Sequence, residues 1–276
     1  MATHHTPSGL LLELRLTAGR CEIETADTDE TVVEAEPMNG SAASRAAAEA
    51  LEETLSERSQ GGHKLVVAMP KLRRLVPLGD AKVLVRIRAP HGAELDAGTA
   101  SSDVVVHGRL GATEVRTASG DVAIEIAERE IEVKTASGDV TIETAEQELE
   151  VKTASGDVKV AVLRGAGGVN TMSGDVTVGD ASAALTVNTM SGDVNVKRLA
   201  SASVQLRSMS GDLRAGIARG ATLWVDANSA SGDVRSELPV TGSAPAGGQA
   251  DVELRATSMS GDIVVVRAPE SVPAQA

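Results

Sequence analysis

The triplet Ser-Gly-Asp recurs along this chain at a nearly fixed spacing, and no other feature constrains the fold as tightly. It begins at Ser119, Ser137, Ser155, Ser173, Ser191, Ser210, Ser231 and Ser260, with a degenerate Ser-Ser-Asp at Ser101. From Ser101 to Ser191 each step is 18 residues; the later steps are 19, 21 and 29. A constant period of this size marks a repeat architecture in which each unit stacks on its neighbours. The longer late steps then read as insertions between units, the largest at 238–249 (LPVTGSAPAGGQ).

Other positions of the period are equally constant. Four residues before the serine stand Val115, Val133, Val151, Val169 and Val187; two before it, Thr117, Thr135, Thr153, Thr171 and Thr189; three after it, Val122, Val140, Val158, Val176 and Val194. Polar residues such as Glu132, Lys134, Glu150 and Lys152 alternate with these. That period of two, rich in β-branched residues, gives each unit two short strands. The turn between them is expected to use its glycine for a positive φ. Two architectures fit: an in-register β-solenoid, or an antiparallel meander closed into a barrel or sandwich. The meander would keep the aspartates farther apart. The solenoid is preferred, because identical residues recur at each position and not merely apolar ones. A chain without Phe or Tyr also suits a thin core of Val, Ile, Leu, Ala and Met. The expected fold class is therefore all-β, a β-solenoid of 18-residue, two-strand coils, each adding about 4.8 Å.

Outside the regular repeat, residues 1–9 read as a disordered start, 10–91 as irregular coils, 92–267 as the repeat proper in one domain with 10–91, and 268–276 as a tail. A helix is expected at 41–60: Ser41 or Ser44 can cap it, Ala46 to Arg58 holds strong helix formers, and Gly61-Gly62 ends it. It is assigned as a cap over an open end of the stack. No run reaches the roughly 18 apolar residues of a membrane span, and MATHHTPSG lacks the form of a signal peptide. A single cysteine, Cys21, excludes an intramolecular disulfide. Cytoplasmic residence is the expectation.

The repeated phrase invites a chemical reading. Its turn ladder comprises Ser119, Gly120 and Asp121; Ser137, Gly138 and Asp139; Ser155, Gly156 and Asp157; Ser173, Gly174 and Asp175; Ser191, Gly192 and Asp193. Stacked aspartates about 4.8 Å apart repel unless something compensates. Either they line divalent-cation sites, or each braces its turn by accepting hydrogen bonds from the serine hydroxyl and turn amides. Calcium needs six to eight oxygens and the phrase offers one carboxylate per coil, which favours bracing. No metal or cofactor is assigned. The threonines share the inward parity of the valines.

A second candidate is Lys64, Lys71, Arg73, Arg74, Lys82, Arg86 and Arg88, a basic island opposed by Asp80 alone in a chain of net charge −13. It is a candidate surface for an acidic protein partner or anionic headgroups, or else a balance for the acidic segment before it. Net acidity and the lack of Phe and Tyr argue against nucleic acid. The histidines show no metal spacing, Cys21 falls on an alternating strand where it packs, and Trp224 is expected to fill a widening of the core. No catalytic residue is assigned.

The T-A-S-G-D-V ladder, its lead-in AAAEAL…KLVVAMP and its closing SGDIVVVRA resemble the toastrack-type family of bacterial β-strand-repeat proteins, which carry an adhesin label. The similarity is to soluble actinobacterial members and spans Leu10 to Ala268. The resemblance implies a right-handed β-solenoid, no enzymatic activity, and an association with cell-envelope stress systems. The expected function is a non-catalytic scaffold or interaction module for an unidentified protein partner. The alternatives are a rod self-assembling by end-to-end stacking and, more weakly, a divalent-cation-binding roll.

Overall fold

The structure, a computed structural model, describes residues 2–6, 9–57, 61–69, 81–238 and 250–269. The chain forms two compact units, Met1–Ile142 and Glu143–Ala276. In both, parallel strands recur coil after coil in register. The fold is an all-β solenoid, with one short helix among the described residues.

In the first unit, β1 (Ala2–His5), β2 (Leu10–Ala26) and β3 (Glu30–Pro37) precede α1 (Ala42–Glu49). After it come β4 (Glu52–Glu57), β5 (His63–Ala68), β6 (Val83–Pro90), β7 (Ala93–Thr117), β8 (Val122–Ala127) and β9 (Ile131–Thr135). The long β2 turns a corner at Gly19, where φ is +131° and a Cβ would lie 2.0 Å from the Val83 carbonyl oxygen. On either side of that corner Leu12, Leu14, Cys21 and Ile23 are fully buried. β7 stacks in parallel along β2, from Leu11↔Glu94 to Glu24↔His107, and β8 and β9 continue the parallel stack on β7.

The other edge of β2 is built differently. β5 and β6 pair with it in parallel, but β4 runs antiparallel to β5, β3 antiparallel to β6, and β1 antiparallel to β3. Two expectations need correction here. Within the start expected to be disordered, residues 2–6 are ordered: β1 is an edge strand, the buried Thr6 hydroxyl meets that of Thr31 at 2.6 Å, and His4 Nε2 lies 2.8 Å from Glu53. The helix spans Ala42–Glu49 rather than 41–60. Ser41 caps it, its Oγ accepting from the Ser44 amide at 3.0 Å, and Ala47 is buried. Beyond Ala50 the helix-forming LEETLSE gives way to β4, because pairing with β5 satisfies its backbone and outweighs propensities of a few tenths of a kcal/mol per residue. The helix thus joins β3 to β4, the strands that flank β6 and β5.

The short β10 (Val140–Ala145) crosses the boundary at Ile142. The second unit alternates two columns of strands. One holds β11 (Leu149–Ser155), β13 (Gly167–Ser173), β15 (Leu185–Ser191), β17 (Ala202–Ser210), β19 (Leu223–Ser229) and β21 (Val252–Ser260). The other holds β12 (Val158–Leu163), β14 (Val176–Ala181), β16 (Val194–Leu199), β18 (Leu213–Ile217), β20 (Val234–Ser236) and β22 (Ile263–Arg267). Val151, Val169, Val187 and Leu206 stack in register, as do Val158, Val176, Val194 and Leu213. Every one of these pairings is parallel, which excludes the meander. Fully burying each such side chain contributes about 1.5–3 kcal/mol, so the ladders hold the coils together. Surface pairs such as Lys152–Glu150, at 2.5 Å, contribute about 0–1 kcal/mol.

Coil order departs from sequence order at the end of the chain. β21 pairs with β17 on one side and β19 on the other, and β22 joins both β18 and β20. The coil of Ser260 is therefore inserted between those of Ser210 and Ser231. Its inward side chains Val252, Leu254, Ala256, Ile263 and Val265 are buried, whereas β19 is only half-buried and Val234 is 48% exposed. The more apolar coil takes the interior place and the weaker one the end. Reciprocal bonds pin the exchange: Asp251 Oδ2 accepts from the Thr222 amide and hydroxyl, both at 2.8 Å, and the Asp251 amide donates to Thr222 Oγ1 at 3.0 Å. These bonds hold the Asp251 carboxyl below its ordinary pKa. Trp224 does not widen the core; half-exposed, it lies under the Arg255 guanidinium, 5.5 Å from its ring centre.

Candidate functional site

The Ser-Gly-Asp phrase forms the corner of each coil, and its groups bond chiefly to the coils above and below. Asp121 donates its amide to Asp103 Oδ1 at 3.1 Å, and Asp139 to Asp121 at 2.9 Å. In the second unit Asp175 donates to Asp157 at 3.0 Å, Asp193 to Asp175 at 2.9 Å and Asp212 to Asp193 at 2.8 Å. The column continues in structural order, with Asp262 on Asp212 and Asp233 on Asp262. The bracing expected within each turn is thus a bracing between coils, each carboxylate holding the next amide. The remaining repulsion falls on solvated oxygens, where water and salt screen it.

Gly174 has the expected positive φ, +155°, but at the other corners glycine is required for a different reason. A Cβ on Gly138 would lie 2.0 Å from the Gly120 carbonyl oxygen, and one on Gly192 2.2 Å from that of Gly174. Neither Gly138 nor Gly192 has a positive φ. Close backbone approach, repeated at Gly120, Gly174, Gly211, Gly232 and Gly261 at 2.1–2.2 Å, selects glycine.

The serine amides and threonine hydroxyls differ between the units. In the first, Gly120 and Gly138 donate their amides to Thr117 and Thr135 Oγ1, both at 2.9 Å, and Ser119 and Ser137 donate theirs to Ala100 and Ala118 carbonyls. In the second, Gly156, Gly174 and Gly192 donate to the Ser173, Ser191 and Ser210 carbonyls at 3.2–3.3 Å. The hydroxyls of Thr153, Thr171, Thr189 and Ser208 are left buried without a partner among the described residues.

The basic island is partly neutralised where it is described. Lys64 pairs with Glu13, and Arg86 with Glu22 at 3.3 Å and Glu36 at 2.9 Å. Lys82 is exposed, and its amide donates to Ser44 Oγ at 2.9 Å. Lys71, Arg73 and Arg74 lie outside the described residues. Arg86 and Arg88 stand on the outer face of β6 beside a groove of about 350 Å³, which Glu24, Glu34 and His107 also line. Cys21 is buried, which together with the neighbouring Glu22 carboxylate pushes its thiol up to about 12 and leaves it protonated. Among the described residues no three of His, Cys, Asp and Glu gather as metal ligands, and no helix is long and apolar enough to cross a membrane.

Register-stacked corners of this kind coincide with a family match. Residues 12–266 fit the family model described as Toastrack DUF4097. The chain belongs to that family. No curated protein matches this Toastrack chain. Two solved structures are similar to it: a "putative cell adhesion protein" from Clostridium sporogenes and a "putative adhesin" from Bacteroides fragilis. The first is 12% identical with a TM-score of 0.22, and 94% of this chain and 92% of that one are covered. The second is 9% identical with a TM-score of 0.38, at 96% and 95% coverage. With identities this low and TM-scores below 0.5, neither carries an argument about function.

Sequence reasoning missed one feature of this Toastrack surface. The expected core composition includes methionine, yet Met172 and Met190 of the T-M-S-G-D copies and Met209 and Met259 of the S-M-S-G-D copies are 48–58% exposed. The signal was available: methionine takes the place of alanine next to an inward threonine or serine, so its parity is outward.

Proposed function

We propose that this chain is a non-catalytic scaffold or interaction module, whose stacked coils present repeated side-chain columns to a protein partner. The observation that carries this reading is the use of the repeated polar group. The aspartate of each corner holds the next coil's amide, so the phrase serves stacking, and the outward side chains are left to specify recognition. Cytoplasmic residence and a link to envelope stress belong to this proposal as well; cell fractionation and expression under envelope-damaging agents test them.

A second reading, self-assembly, has its own observation. Among the described residues β19 pairs only with β21 and no described strand lies on its other edge, and Val234 is exposed. Open strand edges recruit further strands. Light scattering after size exclusion, over a wide range of protein concentration, separates the two. A constant monomer mass supports the module; a mass that climbs with concentration replaces it with the rod.

A further inference from the structure

Four methionines stand in one outward column of the second unit. Thr171 and Ser173 pair with Thr189 and Ser191, which places Met172 beside Met190. The same register carries the column from Met190 to Met209 and from Met209 to Met259. The fold does not require methionine there, because Ala118, Ala136 and Ala154 occupy the equivalent position of the same phrase. Three residues further on, around the same corner, runs the column of Asp175, Asp193, Asp212 and Asp262. Each gives one carboxylate oxygen to an amide of the adjacent coil. Among the described residues, no lysine, arginine or histidine forms an ion pair with any of the four. The corner is therefore a ridge with a flexible apolar shoulder and an anionic one.

We propose that this ridge docks a basic amphipathic helix of a partner protein. The inference rests on the interaction-module reading and names its partner's chemistry. Charge complementarity fixes the sign, since lysines or arginines flanking an apolar stripe would face the aspartates. The spacing favours a helix over a strand. Three coil steps span about 14 Å, and three turns of helix about 16 Å. Four same-face residues of an extended strand span about 20 Å. The helix mismatch, about 2 Å, is within what unbranched methionine side chains absorb, and a helix presenting apolar anchors at i, i+3/i+4 and i+7 is an established recognition element.

The test uses the full chain and a labelled Leu/Lys peptide of about 18 residues with leucines at helical spacing, followed by fluorescence anisotropy at physiological salt. Two quadruple variants are compared with the parent. M172A/M190A/M209A/M259A restores a phrase the chain already folds elsewhere. D175N/D193N/D212N/D262N keeps each side-chain acceptor and removes the charge. Unchanged urea midpoints establish that both are folded. The expected result is binding that weakens about tenfold in either variant, and about tenfold for a peptide of the same composition with strictly alternating Leu and Lys. Equal affinity in the methionine variant, or no preference over a Leu/Glu peptide, overturns the proposal. So does a concentration-dependent mass of the parent that the methionine variant abolishes, which would assign the ridge to a second copy. If the ridge fails while the parent stays monomeric, the module reading survives it.

Discussion

The hexapeptide Thr-Ala-Ser-Gly-Asp-Val occurs identically at 135–140 and 153–158, and it builds two different corners. At the first, the strand stops at Thr135 and the Gly138 amide turns back onto the Thr135 hydroxyl at 2.9 Å. At the second, the strand runs on to Ser155, the Gly156 amide reaches the Ser173 carbonyl of the next coil, and the Thr153 hydroxyl is left without a partner. One arrangement satisfies a buried hydroxyl locally. The other extends the ladder by the Ser155↔Ser173 pair. A buried unsatisfied hydroxyl costs about 1–3 kcal/mol and a net backbone hydrogen bond returns about 0.5–1.5 kcal/mol. The two corners are thus close in free energy, and the stacked neighbour chooses between them.

Substitutions in both corners put this comparison at risk, and the largest effect is expected at the glycines. Gly138→Ala and Gly192→Ala both drive a Cβ into a backbone oxygen about 2 Å away, at 2.0 and 2.2 Å respectively. Each should lose about 3 kcal/mol or more in urea unfolding, at the upper end for overpacking. A tolerated alanine in one unit alone would show that its coils are not held at that spacing.

The threonines should respond with opposite signs. Thr135→Val strands the Gly138 amide and is expected to cost about 1 kcal/mol or more, whereas Thr171→Val removes a buried, unpartnered hydroxyl and should be neutral or stabilising by about 1 kcal/mol. Equal losses at both sites, measured by the same unfolding experiment, would erase the distinction between the corners.

The smallest effect tests the irregular end of the first unit. Arg15 grips Asp96 through both nitrogens, at 3.1 and 2.8 Å, and this holds the Asp96 carboxyl below its ordinary 3.8. A lowered folded pKa means the pair stabilises above the unfolded pKa and loses that contribution as pH falls through the folded one. Asp96→Asn should therefore cost about 0.5–1 kcal/mol at neutral pH, discounted because both side chains are partly solvated. The gap from the parent should close as the solution is acidified below the normal carboxylate range. A gap independent of pH would mean the carboxylate charge is not what matters there.

Much of this was legible in the residues. The 18-residue identity of valine, threonine and aspartate positions predicted parallel, in-register coils, and the registers Val151↔Val169 and Val169↔Val187 follow it. Cys21 was placed in a packed strand and is buried. Less visible was what depends on competition between segments. LEETLSE has helical composition but completes an edge beside β5, and the Ser260 coil displaces the Ser231 coil from the interior because it has more apolar surface to bury. Of the candidate surfaces, the ion pairs of Lys64 and Arg86 with Glu13, Glu22 and Glu36 join residues far apart in sequence. The methionine column was written in the parity of each repeat, yet assigning methionine to the core by its hydrophobicity hid it.

By itself, then, the sequence determined the period, the strand parity and the inward ladders of the solenoid, because those arise from local alternation repeated at constant spacing. Tertiary structure alone decided which strand lies next to which at both ends, which of two hydrogen-bond patterns each corner adopts, and why its glycine is indispensable. Those outcomes depend on backbone atoms of neighbouring coils approaching to contact distance, and one coil's residues do not encode what will be stacked upon it.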